Sequence, residues 1–163
     1  MAKNRFSESH GILGLTVDGN WADGFDSDSI DMSKYNHATV IIIGDASVAG
    51  NGIIKVNAGN TAGSESTAIT FTYRYPGAAI GSASSDVYSA ASTSAALTTV
   101  ATSYITSRAF VIEFDAQDLN VSGTQYRYAR VNVDATGSGG TVDIVAILSE
   151  PRYMEAIMDT AEA

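Results

Sequence analysis

The chain has 163 residues, a formal net charge of −9, a pI near 4.4 and no cysteine. These values predict one domain that buries its own core without disulfides. They exclude thiolate chemistry and argue against a nucleic-acid partner, which would need clustered lysines and arginines. No apolar run approaches the roughly 20 residues of a membrane span, and none follows the N-terminus as in a signal peptide. We therefore expect a soluble protein made in the cytoplasm, with no membrane partner.

The N-terminal part combines an arm, a strand and an acidic segment. Residues 1 to 11 lack hydrophobic periodicity and predict an extended arm, and Ile12 to Val17 predicts a first strand. Five aspartates lie between Asp18 and Asp31, but their spacing does not fit a calcium-binding EF-hand loop. We interpret this segment as a solvated loop that places Trp21 or Phe25 in the core, and a looser cation site stays the alternative.

The middle of the chain predicts several short strands. Tyr35 to Gly44 and Ile53 to Asn57 flank a turn that ends in Asn-Gly, and we interpret them as hairpin partners. Ala68 to Tyr75 shows the clearest two-residue alternation, with its aromatic residues on one face, and the proline that follows ends the strand. Gly77 to Ser107 is rich in small residues and favours one or two strands joined by a long exposed loop over a helix.

The last third predicts a strand at Arg108 to Phe114, followed by a short capped turn at Asp115 to Leu119. Tyr126 to Tyr153 then indicates a central hairpin, because two strand-like runs flank a glycine-rich turn. Its second arm, Val142 to Leu148, is apolar on both faces after Asp143, which is typical of a mid-sheet strand covered on both sides.

The predicted fold is all-β, a jelly-roll-like antiparallel β-sandwich of roughly eight strands. We divide the chain into an extended N-terminal arm at residues 1–11, a sandwich domain at residues 12–153 and a short helical C-terminal tail at residues 154–163. The tail is too short to form a stable helix alone. One core should contain Ile69, Phe71, Tyr73, Phe110, Ile112, Phe114, Ile144, Ala146 and Leu148.

We identify no catalytic, cofactor-binding or metal-binding residues, and we do not expect an enzyme. The two histidines, His10 and His37, lie in ordinary settings, and the Gly-x-Ser-x-Gly motif of many serine hydrolases is absent. Glu113 and Asp143 are interpreted as solvated charges and not as a catalytic pair. The residues Asn120 to Ser122 predict a turn. A sugar-binding aromatic platform is the less favoured interpretation of four tyrosines that alternate along strands, namely Tyr73, Tyr75, Tyr126 and Tyr128.

Four blocks of the chain resemble a family of small virion proteins of tailed phages. They are Met32 to Ile42, Ala68 to Tyr75, Val111 to Leu119 and Val145 to Tyr153, in that order and spacing. The resemblance implies an all-β structural subunit of the virion, with capsid decoration (cement) as its role and the major capsid protein or other virion proteins as partners. A neck, tail or fibre component and a carbohydrate-binding sandwich on the virion are the alternatives.

Self-association is a further expectation. Only 17% of the residues are charged, which favours a protein that lies against neighbours. Repeated structural proteins usually form closed cyclic oligomers, so we expect a homo-oligomer and favour a trimer.

Overall fold

The computed structural model describes residues 6–134 and 138–152. Two antiparallel β-sheets pack face to face, with almost no helix, so the predicted antiparallel β-sandwich is confirmed. The described residues form fourteen strands, more than the eight or so predicted. The difference arises because five of the fourteen are only two residues long.

Sheet A has six strands, which are numbered here along the chain. In spatial order they are β1 (Gly11–Asn20), β14 (Thr141–Pro151), β4 (Tyr35–Gly44), β10 (Ala109–Asp115), β7 (Phe71–Arg74) and β8 (Ser92–Ser94). The strand β14 therefore lies between the first strand of the chain and β4, in the middle part of the sheet, as its apolar sequence predicts.

Sheet B is built around two central strands, β13 (Tyr128–Asp134) and β5 (Gly52–Gly59). On its side away from β5, β13 pairs with β2 (Phe25–Asp26) and β3 (Ile30–Asp31). On its side away from β13, β5 pairs with β6 (Thr67–Ala68) and β9 (Leu97–Val100). The remaining elements are short. They are the hairpin of β11 (Asn120–Val121) and β12 (Thr124–Gln125), the helix α1 (Thr102–Ile105) and the 3-10 turns Phe6–Glu8 and Ala116–Leu119.

Both predicted hairpins are wrong, because the chain alternates between the two sheets. The strand β13 lies in sheet B and β14 in sheet A, and β4 and β5 are separated in the same way. Glycine-rich turns specify a reversal of direction but not the sheet that the chain enters afterwards. A strand with one apolar face buries that face equally well from either layer of a sandwich.

The strand predicted at Ala68 to Tyr75 is also divided between the sheets. Its first residues form β6, which pairs with β5, and Ile69 donates its N–H to the carbonyl of Val56 at 2.9 Å. Its later residues form β7, which pairs with β10 in sheet A. The chain crosses from one sheet to the other without interrupting the alternation of side chains, so the pattern alone does not reveal the crossing.

All nine predicted core residues belong to one hydrophobic core between the sheets. Eight of them are buried, and Tyr73 is partly buried against the others. Trp21 is fully buried, in agreement with the expectation that the acidic segment places Trp21 or Phe25 in the core. Its indole N–H donates to the carbonyl of Gly50 at 3.3 Å.

The less regular segments are partly as predicted. The region from Gly77 to Ser107 contains two strands and a long loop, as favoured, and the helix alternative is wrong for Leu97 and Val100, which lie in β9. Within the predicted arm, residues 6–8 form a 3-10 turn in which the ring of Phe6 stacks on His10 at 4.0 Å between centroids. Residues 1–5 of the arm and the predicted tail at 154–163 lie outside the described residues.

Candidate interaction surface

The outer face of sheet A carries a cluster of aliphatic side chains. Along β4, Ala38, Val40 and Ile42 are buried between the sheets, so the alternate residues point outward. The same alternation holds along β10 and β14. Residues directly opposite each other on antiparallel strands have side chains on the same face. The cross-strand register therefore shows which outward side chains are neighbours.

These neighbours form rows across four strands. Ile147 on β14 lies opposite Ile12 on β1 and Thr39 on β4. In the next row, Val145 and Val111 both lie opposite Ile41. We call this surface the aliphatic face and define it as Ile12, Ile41, Ile43, Val111, Val145 and Ile147.

The aliphatic face remains accessible to solvent. Ile12 is 57% exposed and Ile43 is 37% exposed, and the other four side chains are partly exposed. Gly14, opposite Val145, has open space where a side chain would stand, which leaves the β1 side of the surface flat. The prediction that β14 is covered on both sides is therefore wrong for its outer side, because Val145 and Ile147 stay partly exposed there and no second layer formed by residues 6–134 or 138–152 buries them.

The outer face of sheet B is polar by contrast. Lys55 and Asp134 form an ion pair across β5 and β13. Arg130 lies 3.1 Å from a carboxylate oxygen of Asp26, and the Asn132 amide donates to the same carboxylate at 2.8 Å. The sandwich therefore has one outer face suited to water and one suited to contact with another apolar surface.

Charged side chains lie within and beside the rows of the aliphatic face, because Glu113 lies opposite Thr39, Asp143 lies opposite Ile43 and Arg74 lies opposite Val111. At one end the Nδ1 atom of His37 lies 2.6 Å from a carboxylate oxygen of Asp115, and its Nε2 atom lies 3.9 Å from Glu113. At the other end the carboxylate of Asp143 accepts the N–H of Asp18 at 2.9 Å. Glu113 and Asp143 lie opposite positions four residues apart on β4, about 13 Å along the strand. The structure does not bring these two carboxylates together.

The His37 cluster has the composition of a nucleophile-activating triad but not its surroundings. Thr39 Oγ1 lies 3.3 Å from His37 Nε2, so an Asp–His–Thr series is present. Such chemistry also requires donors aimed at a developing oxyanion. Thr39 instead lies on a flat strand opposite Glu113, whose negative charge would repel an oxyanion. We assign the cluster to holding β4 against β10. Sequence reasoning missed it because His37 and Asp115 meet only through the strand register.

Three of the five aspartates of the acidic segment have separate side-chain partners. Asp23 accepts a hydrogen bond from Asn20, Asp26 pairs with Arg130, and Asp31 pairs with Arg127. No group of three or more histidine, aspartate or glutamate side chains placed to hold a metal ion occurs in residues 6–134 and 138–152. The prediction of a solvated loop is therefore only partly correct, because the segment contains the end of β1 together with β2 and β3, and two of its aspartates form ion pairs.

Asp31 is the most strongly held of these carboxylates. Its side chain is 6% exposed, and Arg127 contacts both of its oxygens, at 2.6 and 3.1 Å. The hydroxyl and the N–H of Ser33 donate to it at 2.6 and 3.0 Å. Burial raises the pKa of Asp31, but the hydrogen bonds from Arg127 and Ser33 outweigh burial and hold that pKa below its ordinary value.

The four tyrosines considered for a sugar-binding platform occupy different places. Tyr73 stacks on the core residue Phe110 at 5.8 Å, and Tyr75 stacks on Tyr104 at 3.8 Å. The hydroxyl of Tyr126 accepts a hydrogen bond from Thr67, and the ring of Tyr128 lies under the Arg127 guanidinium at 4.9 Å. All four rings are partly buried, as the favoured interpretation expected.

A polar cleft of about 430 Å³ adjoins the His37 end of sheet A. Its lining includes Asn36, Gln117, Gln125, Glu150 and Arg152. The Arg152 guanidinium already donates to the Asn36 side chain at 2.9 Å. The cleft therefore offers mixed polar groups of both charges, without the concentration of one chemistry that would specify a ligand.

The fold and its surface define the class of the protein, which is a two-sheet antiparallel β-sandwich with one polar and one aliphatic outer face. Searches against protein families and against curated proteins found no match. Among solved structures, the chain is similar to the crystal structure of the SPBc2 prophage-derived protein YomS. The TM-score is 0.52 at 12% identity, over 85% of this chain and 91% of that chain. The protein therefore shares its fold with a prophage-derived protein. No helix among the described residues is long and apolar enough to cross a membrane.

Proposed function

We propose that the protein is a structural component of a tailed-phage particle, with capsid decoration (cement) as its specific role. The observation that carries this proposal is the aliphatic face, exposed on a sandwich whose fold is shared with a prophage-derived protein. Exposed apolar patches with polar rims mark surfaces that bind other proteins. In this proposal the protein is located on the virion and has no enzymatic activity.

The four sequence blocks that resemble phage virion proteins support the same proposal. In the structure they contain β4, β7, β10 and β14, which are adjacent strands in the order β14-β4-β10-β7. Three of these strands carry most of the aliphatic face. The resemblance is thus concentrated in the sheet that presents the candidate interaction surface.

The partners we propose are the major capsid protein or other virion proteins, together with further copies of the chain. Nucleic acid and membranes have no place in this function. A surface built from paired strands loses little backbone entropy when it binds, because the ladder hydrogen bonds already fix its backbone. Such a subunit is suited to reinforcing contacts between neighbours without undergoing chemistry itself.

The test is the amount of the protein in purified particles of the phage or prophage that encodes it, measured by quantitative mass spectrometry against the major capsid protein. Hundreds of copies per particle are expected for a decoration protein. Tens of copies per particle or fewer would contradict decoration and indicate a neck, tail or fibre role instead. Absence from purified particles would contradict a virion function altogether.

A further inference from the structure

We propose that residues 153–163 bind to their own subunit, as a short helix that lies in two adjoining clefts beside the end of β14. These residues are the predicted tail together with Tyr153, and we call them the tail segment. The proposal concerns the isolated subunit and does not rest on the proposed function. The clefts supply the docking surface without which so short a helix is not stable.

The chain enters the tail segment at the wall of both clefts. The strand β14 ends at Pro151, opposite Tyr35, and the N–H of Arg152 donates to the carbonyl of Lys34 at 2.9 Å. Arg152 and Gln125 line the polar cleft of about 430 Å³ and also a smaller groove of about 190 Å³. The residues that follow Arg152 therefore need no linker to reach either cleft.

The smaller groove combines an apolar wall with positive charge. Met32 is 2% exposed and Tyr126 is partly buried against the core, and both line the groove. Two of the nine basic residues of this acidic chain, Arg127 and Arg152, also line it. The Arg127 side chain is half exposed although it contacts Asp31, and a guanidinium carries five N–H donors, so it can bind a second carboxylate. The groove therefore fits a segment that carries apolar side chains and carboxylates together.

The tail segment carries this combination of groups. Four apolar residues have the i, i+3, i+4 and i+7 spacing of one helix face, and they are Met154, Ile157, Met158 and Ala161. The three charged residues of the segment are all acidic and share a neighbouring face, and they are Glu155, Asp159 and Glu162. A helix of this segment would place its apolar face against Met32 and Tyr126 and its carboxylates beside the two guanidiniums.

The volumes of the clefts are suited to such a helix face. The smaller groove has space for about six water molecules, and thus for one or two aliphatic side chains. The polar cleft has Asn36, Gln117 and Gln125 in its lining, whose amide groups both donate and accept hydrogen bonds. Its mixed chemistry specifies no small ligand but is suited to a peptide, which presents donors and acceptors of both kinds.

The covalent connection to β14 favours the tail segment over any other occupant. A segment tethered at its binding site acts at an effective concentration on the order of millimolar. The same segment of a second copy would compete only at its actual concentration, which is far lower in dilute solution. The proposed contact therefore forms within one subunit and requires no oligomer.

Hydrogen–deuterium exchange of the full chain, followed by mass spectrometry, tests the contact. We expect amides of the tail segment to exchange at least tenfold more slowly than in a synthetic peptide of the same residues, because the helical hydrogen bonds form only in the docked state. The variant Met154→Ser/Ile157→Ser removes two apolar side chains from the contact and should lose this protection. The matched control, Ala156→Ser/Thr160→Ser, introduces two serines on the other side of the helix and should keep it.

Thermal melting of the same variants tests the effect on stability. Met154→Ser/Ile157→Ser should lower the melting temperature by about 3–6 °C, since a tenfold-favoured contact corresponds to about 1.4 kcal/mol. The control should melt within about 1 °C of the parent, because its substitutions lie outside the contact. Exchange of the parent at the rate of the free peptide, or equal behaviour of the two double variants, would overturn the proposal.

A cross-linking experiment locates the docked segment. The chain contains no cysteine, so Ala156→Cys can be combined with one further cysteine at Gln125, which lines both clefts. The control position is Ser149, about 10 Å before Arg152 on β14 but on the outer side of sheet A. An undocked segment would reach either position, whereas the docked one should give at least fivefold more intramolecular product with Gln125→Cys when a short bis-maleimide is added. Equal yields, or linkage only between subunits, would contradict the proposed site.

Discussion

Glu65 is a buried carboxylate in the segment between β5 and β6, with Arg130 of β13 as its charged partner. The Arg130 Nε atom lies 3.3 Å from the Glu65 carboxylate, neither carboxylate oxygen makes a hydrogen bond, and the same guanidinium contacts Asp26 at 3.1 Å. A buried charge is tolerated only when an opposite charge compensates for its loss of water. The pair therefore holds the segment before β6 against β13.

Arg130→Met should lower the free energy of unfolding by about 3–5 kcal/mol, because it leaves the buried Glu65 charge without compensation. The double variant Arg130→Met/Glu65→Leu should be more stable than Arg130→Met alone, since it removes both charges. Urea denaturation followed by circular dichroism measures both. If the double variant loses as much stability as the two single variants together, the ion pair does not explain the cost.

Asp31 makes stability depend on pH. Its pKa is lower in the folded protein than its ordinary value of 3.8, so the unfolded chain binds more protons in acid. The stabilisation is present above the unfolded pKa and is lost as the pH falls through the lower folded pKa. Between pH 5 and pH 3 the free energy of unfolding should therefore decrease less steeply for Asp31→Asn than for the parent. Parallel curves from urea denaturation across this range would contradict the assignment.

At the level of elements, the connection from β13 to β14 depends on one glycine. Gly140 has a φ of +93°, and a Cβ atom at this position would lie 2.3 Å from the backbone of Val48. Its carbonyl also accepts the N–H of Trp21 at 3.0 Å. The chain therefore crosses between the sheets in a conformation and a space that suit only glycine.

Gly140→Ala should reduce stability by about 1–3 kcal/mol, because alanine is strained at positive φ and collides with backbone. The control is Gly14→Ala in β1, where the added methyl group meets no atom within 4 Å. That variant should stay within about 0.5 kcal/mol of the parent. Thermal melting of the two variants side by side is sufficient, and equal melting temperatures would refute the proposed constraint.

Individual strands could be predicted from the sequence, but their pairing could not. The alternation of Phe110, Ile112 and Phe114 indicates which side of β10 is buried, because facing depends only on neighbours in the chain. Pairing depends on contacts between distant segments, such as His37 with Asp115, and local sequence patterns do not encode these contacts. This is why both predicted hairpins were wrong although their strands were correct.

The outward apolar residues of β14 were recognised in the sequence, but they were interpreted as buried under a second layer. Val145 and Ile147 are apolar residues on the outward side of β14, and a second covering layer is the usual reason for such a pattern. The structure leaves this side partly exposed. An apolar outward side therefore has two explanations, a covering layer of the same chain or a binding partner, and only the folded structure separates them.

For the whole molecule, the common core of the two sheets determines stability. Phe71 on β7 and Phe114 on β10 are both 2% exposed and belong to the same cluster. Phe71→Ala and Phe114→Ala should each lower the free energy of unfolding by about 3–5 kcal/mol. Val17→Ala, at a side chain that is 78% exposed, is the control and should have little effect. Urea midpoints for the two phenylalanine variants that match the parent would place these rings outside the core.

The pairing of β1 with β14 has a consequence for the order in which the protein is made. Gly11 lies opposite Leu148, so β1 cannot pair until β14 has been translated, more than a hundred residues later. Until the ribosome has passed Pro151, β4 lacks its neighbour on one side and offers an open edge to other chains. We expect sheet A to be completed only at this late stage and folding to be slow, because its contacts join distant parts of the chain. Nascent chains that stall before β14 would then be the species most exposed to aggregation during synthesis.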